Sequence, residues 1–176
     1  MHFCIPIPCF FGKLDFCDAL RKVASLGFNA AETYRWQGLD FEKVRETCKE
    51  TGVTLLSMCT SEFNMTSPEN RETYLDALRK SCEAGKMGVR KLITQVGPDT
   101  GVERAYQHES IVTTLRAAVP ILEEYGVTLM IEPLNTYVDH PGYYLTSSSE
   151  AFDMIHEVAN PFVKVVYDMY HQQIME

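Results

Sequence analysis

Residues 122–132 read Leu-Glu-Glu-Tyr-Gly-Val-Thr-Leu-Met-Ile-Glu, a run in which an amphipathic segment passes directly into a short apolar one. Before it, apolar residues recur at spacings of three and four over 111–122, which is typical of a helix with one buried face. A glycine just past a helix end, here Gly126, can take the left-handed conformation that satisfies the last carbonyl groups. The apolar, partly β-branched run 127–131 suits a strand covered on both faces. This stretch therefore predicts a helix-to-strand junction.

The same junction recurs along the chain. Gly27-Phe28, Gly52-Val53 and Gly88-Val89 each end an amphipathic stretch and begin an apolar one. A fifth junction is predicted at Asn160-Pro161, which takes the place of glycine ahead of the apolar run 162–167. The chain is therefore interpreted as a repeat of helix–strand units.

Strands and helices are predicted to alternate strictly, beginning with a strand. Such alternation implies a parallel sheet with right-handed crossovers, either doubly wound or closed as a barrel. The strands are expected over 3–7, 28–32, 53–58, 91–96, 127–131 and 162–167, and the helices over 19–26, 41–50, 69–86, 111–122 and 148–158.

The absence of nucleotide-binding glycine motifs favours the barrel over the doubly wound sheet. Neither G-x-G-x-x-G nor G-x-x-x-x-G-K-[ST] follows the first predicted strand. A complete (β/α)8 TIM barrel takes about 250 residues, and six units occupy all 176 residues here. We therefore expect one domain, residues 1–176, that forms about six β/α units of an α/β TIM barrel and lacks the last two.

The charge balance restricts the partners. With 24 acidic and 16 basic residues the net charge is −8, which disfavours a nucleic-acid partner. The first residues lack a basic segment followed by an apolar one, and no run of about 18 apolar residues occurs. We expect a cytoplasmic protein without a membrane or nucleic-acid partner.

Three acidic residues follow predicted strands, where parallel α/β folds place their functional groups. Glu132 and Asp168 end the fifth and sixth strands, and Glu32 ends the second. Two carboxylates on one rim repel each other unless a proton or a cation lies between them, and oxygen ligands suit a hard divalent ion such as Mg or Mn. An alternative for Asp168 is that it caps the following helix.

Two further residues are candidates for contact with a substrate. His171 lies three positions after Asp168, where its imidazole could hydrogen-bond a hydroxyl or carbonyl group. Trp36 follows the second strand and could line the same mouth; the alternative for each is ordinary packing or exposure in a loop.

Three motifs near the carboxyl end carry a family resemblance. They are Ile-Glu-Pro-Leu-Asn at 131–135, His-Pro-Gly-Tyr-Tyr-Leu at 140–145, and Tyr-Asp-Met-Tyr-His-Gln-Gln-Ile-Met-Glu at 167–176. They resemble the xylose-isomerase-like TIM-barrel superfamily, and within it the hydroxypyruvate isomerases and the related ketose 3-epimerases. The resemblance implies proton transfer on a small hydroxy-carbonyl or sugar substrate with a divalent ion (Mn, Mg or Co).

The resemblance also implies roles for individual residues. Glu132 and Asp168 match the first two of four metal ligands, Glu132 also moves the substrate proton through an enediolate, and His171 matches a position that touches the substrate. The third and fourth ligands, on strands seven and eight of the family, have no counterpart in the sequence. We therefore expect little isomerase activity from residues 1–176 alone.

Three alternatives remain open at this point. A barrel fragment without catalysis could act as a binding or assembly partner, for example as a homo-oligomer joined through its open sheet edges. A metal-dependent abasic-site endonuclease shares the barrel and the strand-end acids, but the acidic composition disfavours it. A sugar-binding barrel without metal would use Glu132 and Asp168 only as caps.

Overall fold

A computed structural model describes residues 3–176 and contains one six-stranded parallel sheet. The strands follow one another in chain order from one edge of the sheet to the other, and every pairing is parallel. This arrangement confirms the predicted α/β architecture of about six β/α units of a TIM barrel. The strands are Ile5–Pro6 (β1), Ala30–Thr33 (β2), Thr54–Cys59 (β3), Lys91–Thr94 (β4), Thr128–Ile131 (β5) and Val163–Val165 (β6).

Helices connect the strands and cover one face of the sheet. Two short 3-10 turns, Pro68–Asn70 and Gly85–Met87, flank the fourth helix. The helices are Ile7–Phe11 (α1), Phe16–Ser25 (α2), Phe41–Thr51 (α3), Arg71–Ala84 (α4), Arg104–Tyr125 (α5), Ser148–Val158 (α6) and Met169–Met175 (α7).

The alternation of side chains along β5 separates the core from the site. Leu129 and Ile131 are fully buried in the core, whereas Met130 and Glu132 are half-buried and point to the opposite face. β6 pairs with β5 in register, with Ile131 opposite Val165. The side chains of β6 therefore alternate between the same two faces of the sheet as those of β5. One face of the sheet thus packs on helices, and the other is left for the site.

The first strand is shorter than predicted. The predicted strand extended to Ile7, but β1 ends at Pro6 and α1 begins at Ile7. Pro8 lies in the first turn of α1, where its missing N–H costs no hydrogen bond. The prediction was wrong at this boundary because prolines are allowed both in an extended run and at the start of a helix, so the prolines on either side of Ile7 do not show where the strand ends. Met1 and His2 lie outside the described residues.

The predicted junctions are confirmed, with one change of residue. Gly52 and Gly126 end α3 and α5 in the left-handed conformation, with φ of 71° and 61°. At the fifth junction the left-handed residue is Ala159, with φ of 52°, and not the predicted Asn160-Pro161 pair. Asn160 instead accepts a hydrogen bond from the Phe162 N–H with its side chain (2.9 Å) and so turns the chain toward β6.

Among the described residues, no helix combines the length and the apolar character that crossing a bilayer requires.

Candidate functional site

A cavity of about 1150 Å³ opens at the carboxyl ends of the strands. Its walls include Glu32 in β2, Cys59 at the end of β3 and Ile93 in β4, together with Glu132 and Asp168 after β5 and β6. The volume lies just above the usual range for small-molecule sites, which is about 300–1,000 Å³. The sheet therefore brings the three acids predicted from the sequence to one cavity.

Glu132 is the most strongly perturbed acid of the cavity. Its N–H donates to the carbonyl oxygen of Thr94 at 3.0 Å, which extends the pairing of β4 and β5 by one residue and fixes the direction of its side chain. Burial, and then the charges of Asp168 and Glu32, raise its pKa from 4.5 to about 7. A carboxyl group with this pKa can both accept and return a proton near neutral pH.

Asp168 both caps a helix and lines the cavity, two placements that the sequence left as alternatives. One oxygen, Oδ1, accepts a hydrogen bond from the Tyr170 N–H at 2.8 Å and caps α7. The other, Oδ2, lies 3.9 Å from Nε2 of His171 and belongs to the cavity. Helix capping and a place in the site are therefore compatible.

The donor set around Glu132 fits a divalent cation. One ligand atom each from Glu132, Asp168 and His171 lies within 4.8 Å of the others. The raised pKa of Glu132 means that its charged form lacks a compensating partner among the protein groups. Carboxyl oxygens that converge in a partly buried site are the ligands that Mg²⁺ and Mn²⁺ prefer.

Glu32 and Trp36, the other predicted substrate contacts, are placed differently from each other. Glu32 lines the cavity and accepts a hydrogen bond from the Ser57 hydroxyl at 2.9 Å. Trp36 does not belong to the cavity wall: its indole N–H donates to the Cys59 carbonyl oxygen at 3.1 Å, and its ring packs against Phe41 at 6.2 Å. This placement favours packing for Trp36, while its neighbour Tyr34 lines the cavity.

A group of residues around His171 was not predicted from the sequence. His140, which was not among the predicted site residues, lines the cavity with its ring centroid 5.4 Å from that of His171. Asp139 and Tyr170 line the cavity too, and Tyr170 donates to Asp139 at 2.7 Å. The only sequence signal for them was their position within or beside the family-like motifs, since none of them directly follows a strand.

Three comparisons place this geometry among known proteins. A family model described as "Xylose isomerase-like TIM barrel" matches residues 20–176. Hydroxypyruvate isomerase of Escherichia coli (strain K12) is 27% identical over 186 residues, an alignment that covers 100% of this chain and 72% of that protein. A crystal structure titled AP endonuclease, family 2, from Brucella melitensis superimposes with a TM-score of 0.89 at 25% identity, covering 100% of this chain and 72% of that one.

A further solved structure shares the fold. D-psicose 3-epimerase in the presence of D-fructose superimposes with a TM-score of 0.83 at 21% identity, covering 100% of this chain and 66% of that chain. The family model covers most of the chain, and the parallel sheet with its strands in chain order agrees with a barrel fold. The chain belongs to the xylose isomerase-like TIM barrel family.

Proposed function

We propose that the cavity is the active site of a divalent-metal-dependent isomerase that acts on small hydroxy-carbonyl compounds, as a hydroxypyruvate isomerase does. The observation that carries the proposal is the pairing of Glu132, whose pKa is raised to about 7, with Asp168 at neighbouring strand ends. The similarity to the Escherichia coli hydroxypyruvate isomerase supports the substrate class. The acidic net charge of −8 argues against DNA as substrate, even though a structural relative carries an endonuclease title.

Glu132 and Asp168 would hold the ion, with one carboxyl oxygen each. When bound, a divalent ion supplies a positive charge that polarises the adjacent oxygens of a hydroxy-carbonyl compound. Glu32, fixed by the Ser57 hydroxyl, and His171 lie around the same cavity and would bind the oxygens of the substrate.

Glu132 would perform the proton transfer. Its carboxylate removes a proton from the carbon beside the carbonyl group, the electron pair of the C–H bond becomes the C=C bond of an enediolate, and the carbonyl oxygen gains the negative charge. The isomer forms when the hydroxyl proton moves to the former carbonyl oxygen, the hydroxyl-bearing carbon becomes the new carbonyl, and Glu132 returns its proton to the former carbonyl carbon. A pKa near the working pH suits a group that must accept and then release a proton.

Solvent exchange tests this step. With Mn and hydroxypyruvate in deuterium oxide, we expect the protein to replace the C3 protons of the substrate by deuterium faster than the buffer does, because Glu132 exchanges its proton with solvent before returning it. The loss of the C3 signal in proton NMR measures the rate. Exchange requires only one proton-transferring group. Its rate therefore measures proton transfer by Glu132 even where net isomerisation by residues 1–176 is slow.

Two variants make the exchange experiment decisive. Glu132→Gln removes the proton acceptor but keeps the shape of the side chain, and it should lower the protein-dependent exchange by about 10²-fold or more. Glu46→Gln, at an exposed position of α3, is the matched control and should exchange like the parent. Exchange that is absent from the parent, or that is equal in the parent and Glu132→Gln, would refute the proposed function.

A further inference from the structure

The side-chain amide of Asn135 is fully buried behind the cavity, and its orientation is fixed by the backbone. Its Oδ1 accepts hydrogen bonds from the N–H groups of Val138 and Asp139, both at 3.0 Å. Backbone N–H groups can only donate, so the atom that faces them must be the amide oxygen. The other end of the amide, Nδ2, is therefore a donor with two hydrogens.

Those two hydrogens have two partners. Nδ2 lies 2.9 Å from Oδ2 of Asp139 and 2.8 Å from Nδ1 of His171. The hydroxyl of Tyr170 holds the same Asp139 oxygen at 2.7 Å, and the hydrogen bonds from Asn135 and Tyr170 lower the pKa of Asp139, which therefore stays an anionic acceptor. All four hydrogen-bonding positions of the amide are used, and a flip of the amide would break each of them.

The network determines which nitrogen of His171 carries the proton in a neutral ring. Nδ1 receives the amide Nδ2–H of Asn135 and also faces the backbone N–H of Asn135 at 3.3 Å. A nitrogen that faces two donors must accept with its lone pair, so the proton of the neutral ring lies on Nε2. Nε2 is the atom that lies 3.9 Å from Oδ2 of Asp168 at the site.

A ring nitrogen that carries a proton has no lone pair for a metal ion. His171 lies close enough to Glu132 and Asp168 to complete a three-ligand cluster, but with its proton on Nε2 it can only donate. We propose that Asn135 is a positioning residue: by holding Nδ1 of His171 as an acceptor, it excludes His171 from the metal ligands and directs an N–H toward a substrate oxygen. This inference rests on the proposed function, since it assigns a role within the same site.

Asn135→Asp reverses the polarity of the contact with little change of shape. The new carboxylate keeps one oxygen to accept from the N–H groups of Val138 and Asp139, and its second oxygen replaces Nδ2 beside His171. An oxygen there offers no N–H, so Nδ1 should take the proton and leave the lone pair of Nε2 free. Nitrogen-15 NMR at about pH 9, where imidazole side chains are neutral, distinguishes the forms. We expect a pyridine-type Nδ1 signal in the parent and a pyrrole-type Nδ1 signal in Asn135→Asp, each assigned by its loss in His171→Ala.

Mn binding provides the second readout. If the freed Nε2 joins the ion, Asn135→Asp should bind Mn about tenfold more tightly than the parent, and adding His171→Ala should abolish this gain. In the parent, His171→Ala should change Mn affinity less than about twofold. Gln173→Glu adds the same charge at an exposed position of α7, and it should leave both the ring signals and the effect of His171→Ala unchanged.

Two outcomes would overturn the inference. One is a pyrrole-type Nδ1 in the parent, a result that needs no variant and so holds even if Asn135→Asp fails to fold. The other is a parent in which His171→Ala weakens Mn binding tenfold or more, because His171 would then already be a ligand. Either result leaves Mn binding by Glu132 and Asp168 intact, whereas failure of the proposed function would appear as a parent that neither binds Mn nor exchanges substrate protons.

Discussion

Replacing Glu132 with Gln is expected to stabilise the metal-free protein by about 1–3 kcal/mol at about pH 8, although the change removes the proposed proton acceptor. The cause is burial, which raises the pKa of Glu132 from 4.5 to about 7, so its charged form is disfavoured in the folded state. Gln has a similar shape and no charge at any pH.

The sign of the pH dependence follows from the raised pKa. Protons bind more tightly to folded than to unfolded Glu132, so its full stabilising contribution is present below the unfolded pKa of 4.5 and is lost as pH rises through about 7. The parent and Glu132→Gln should therefore have similar unfolding free energies near pH 4 and diverge above it. Urea unfolding without metal, at a series of pH values, measures the difference.

The control for this experiment is Glu46→Gln, at an exposed position of α3. It should change the unfolding free energy by less than about 0.5 kcal/mol at every pH. A Glu132→Gln variant that is destabilised at pH 8, or whose difference from the parent does not vary with pH, would contradict the account of its burial.

Replacing Gly97 with Ala is expected to destabilise the protein by about 3 kcal/mol or more. Gly97 has φ of 108°, which side chains rarely adopt, and a methyl group there would collide with the carbonyl oxygen of Phe63 and lie 3.1 Å from Cα of Asn64. The backbone at Gly97 also accepts a hydrogen bond from Tyr144 N–H at 3.1 Å. The collision involves backbone atoms, so no side-chain rotation relieves it.

Gly101→Ala separates the collision from the backbone conformation. Gly101 also has a positive φ, 76°, but a methyl group there meets nothing within 4 Å. It should cost only about 1 kcal/mol. Equal losses of stability in the two variants, measured by urea unfolding, would show that the close approach of Phe63 to Gly97 does not matter.

The backbone conformation at Gly97 also affects the candidate site. Phe63 lines the cavity, and the connection after β4 meets the long connection after β5 through the bridge between Pro98 and Tyr143. A shift at Gly97 would therefore move one wall of the cavity.

Local signals in the sequence were sufficient for the sheet and for its acids. Gly52 and Gly126 marked helix ends because left-handed backbone favours glycine, and Glu132 and Asp168 were found because parallel strands deliver their carboxyl ends to one rim. The boundary at Ile7 was wrong because an extended run and a first helical turn tolerate the same prolines.

The polar network behind the site could not be predicted in the same way. Asn135, Asp139 and His140 lie in a connection whose path depends on contacts with distant residues, such as the Tyr144 N–H that donates to Gly97 and the His171 ring that accepts from Asn135. No spacing in the sequence encodes those contacts. Their positions become visible only when the folded chain brings the two connections together.

A calorimetric titration with Mn of the parent, Glu132→Gln and Asp168→Asn tests most directly whether the two carboxyl groups share one ion. Asn is as good a helix cap as Asp, so Asp168→Asn removes the charge and leaves the start of α7 in place. We predict one Mn per parent chain, with binding weakened more than about tenfold in each variant. Unchanged affinity in both variants, or a loss in only one of them, would contradict a shared ion.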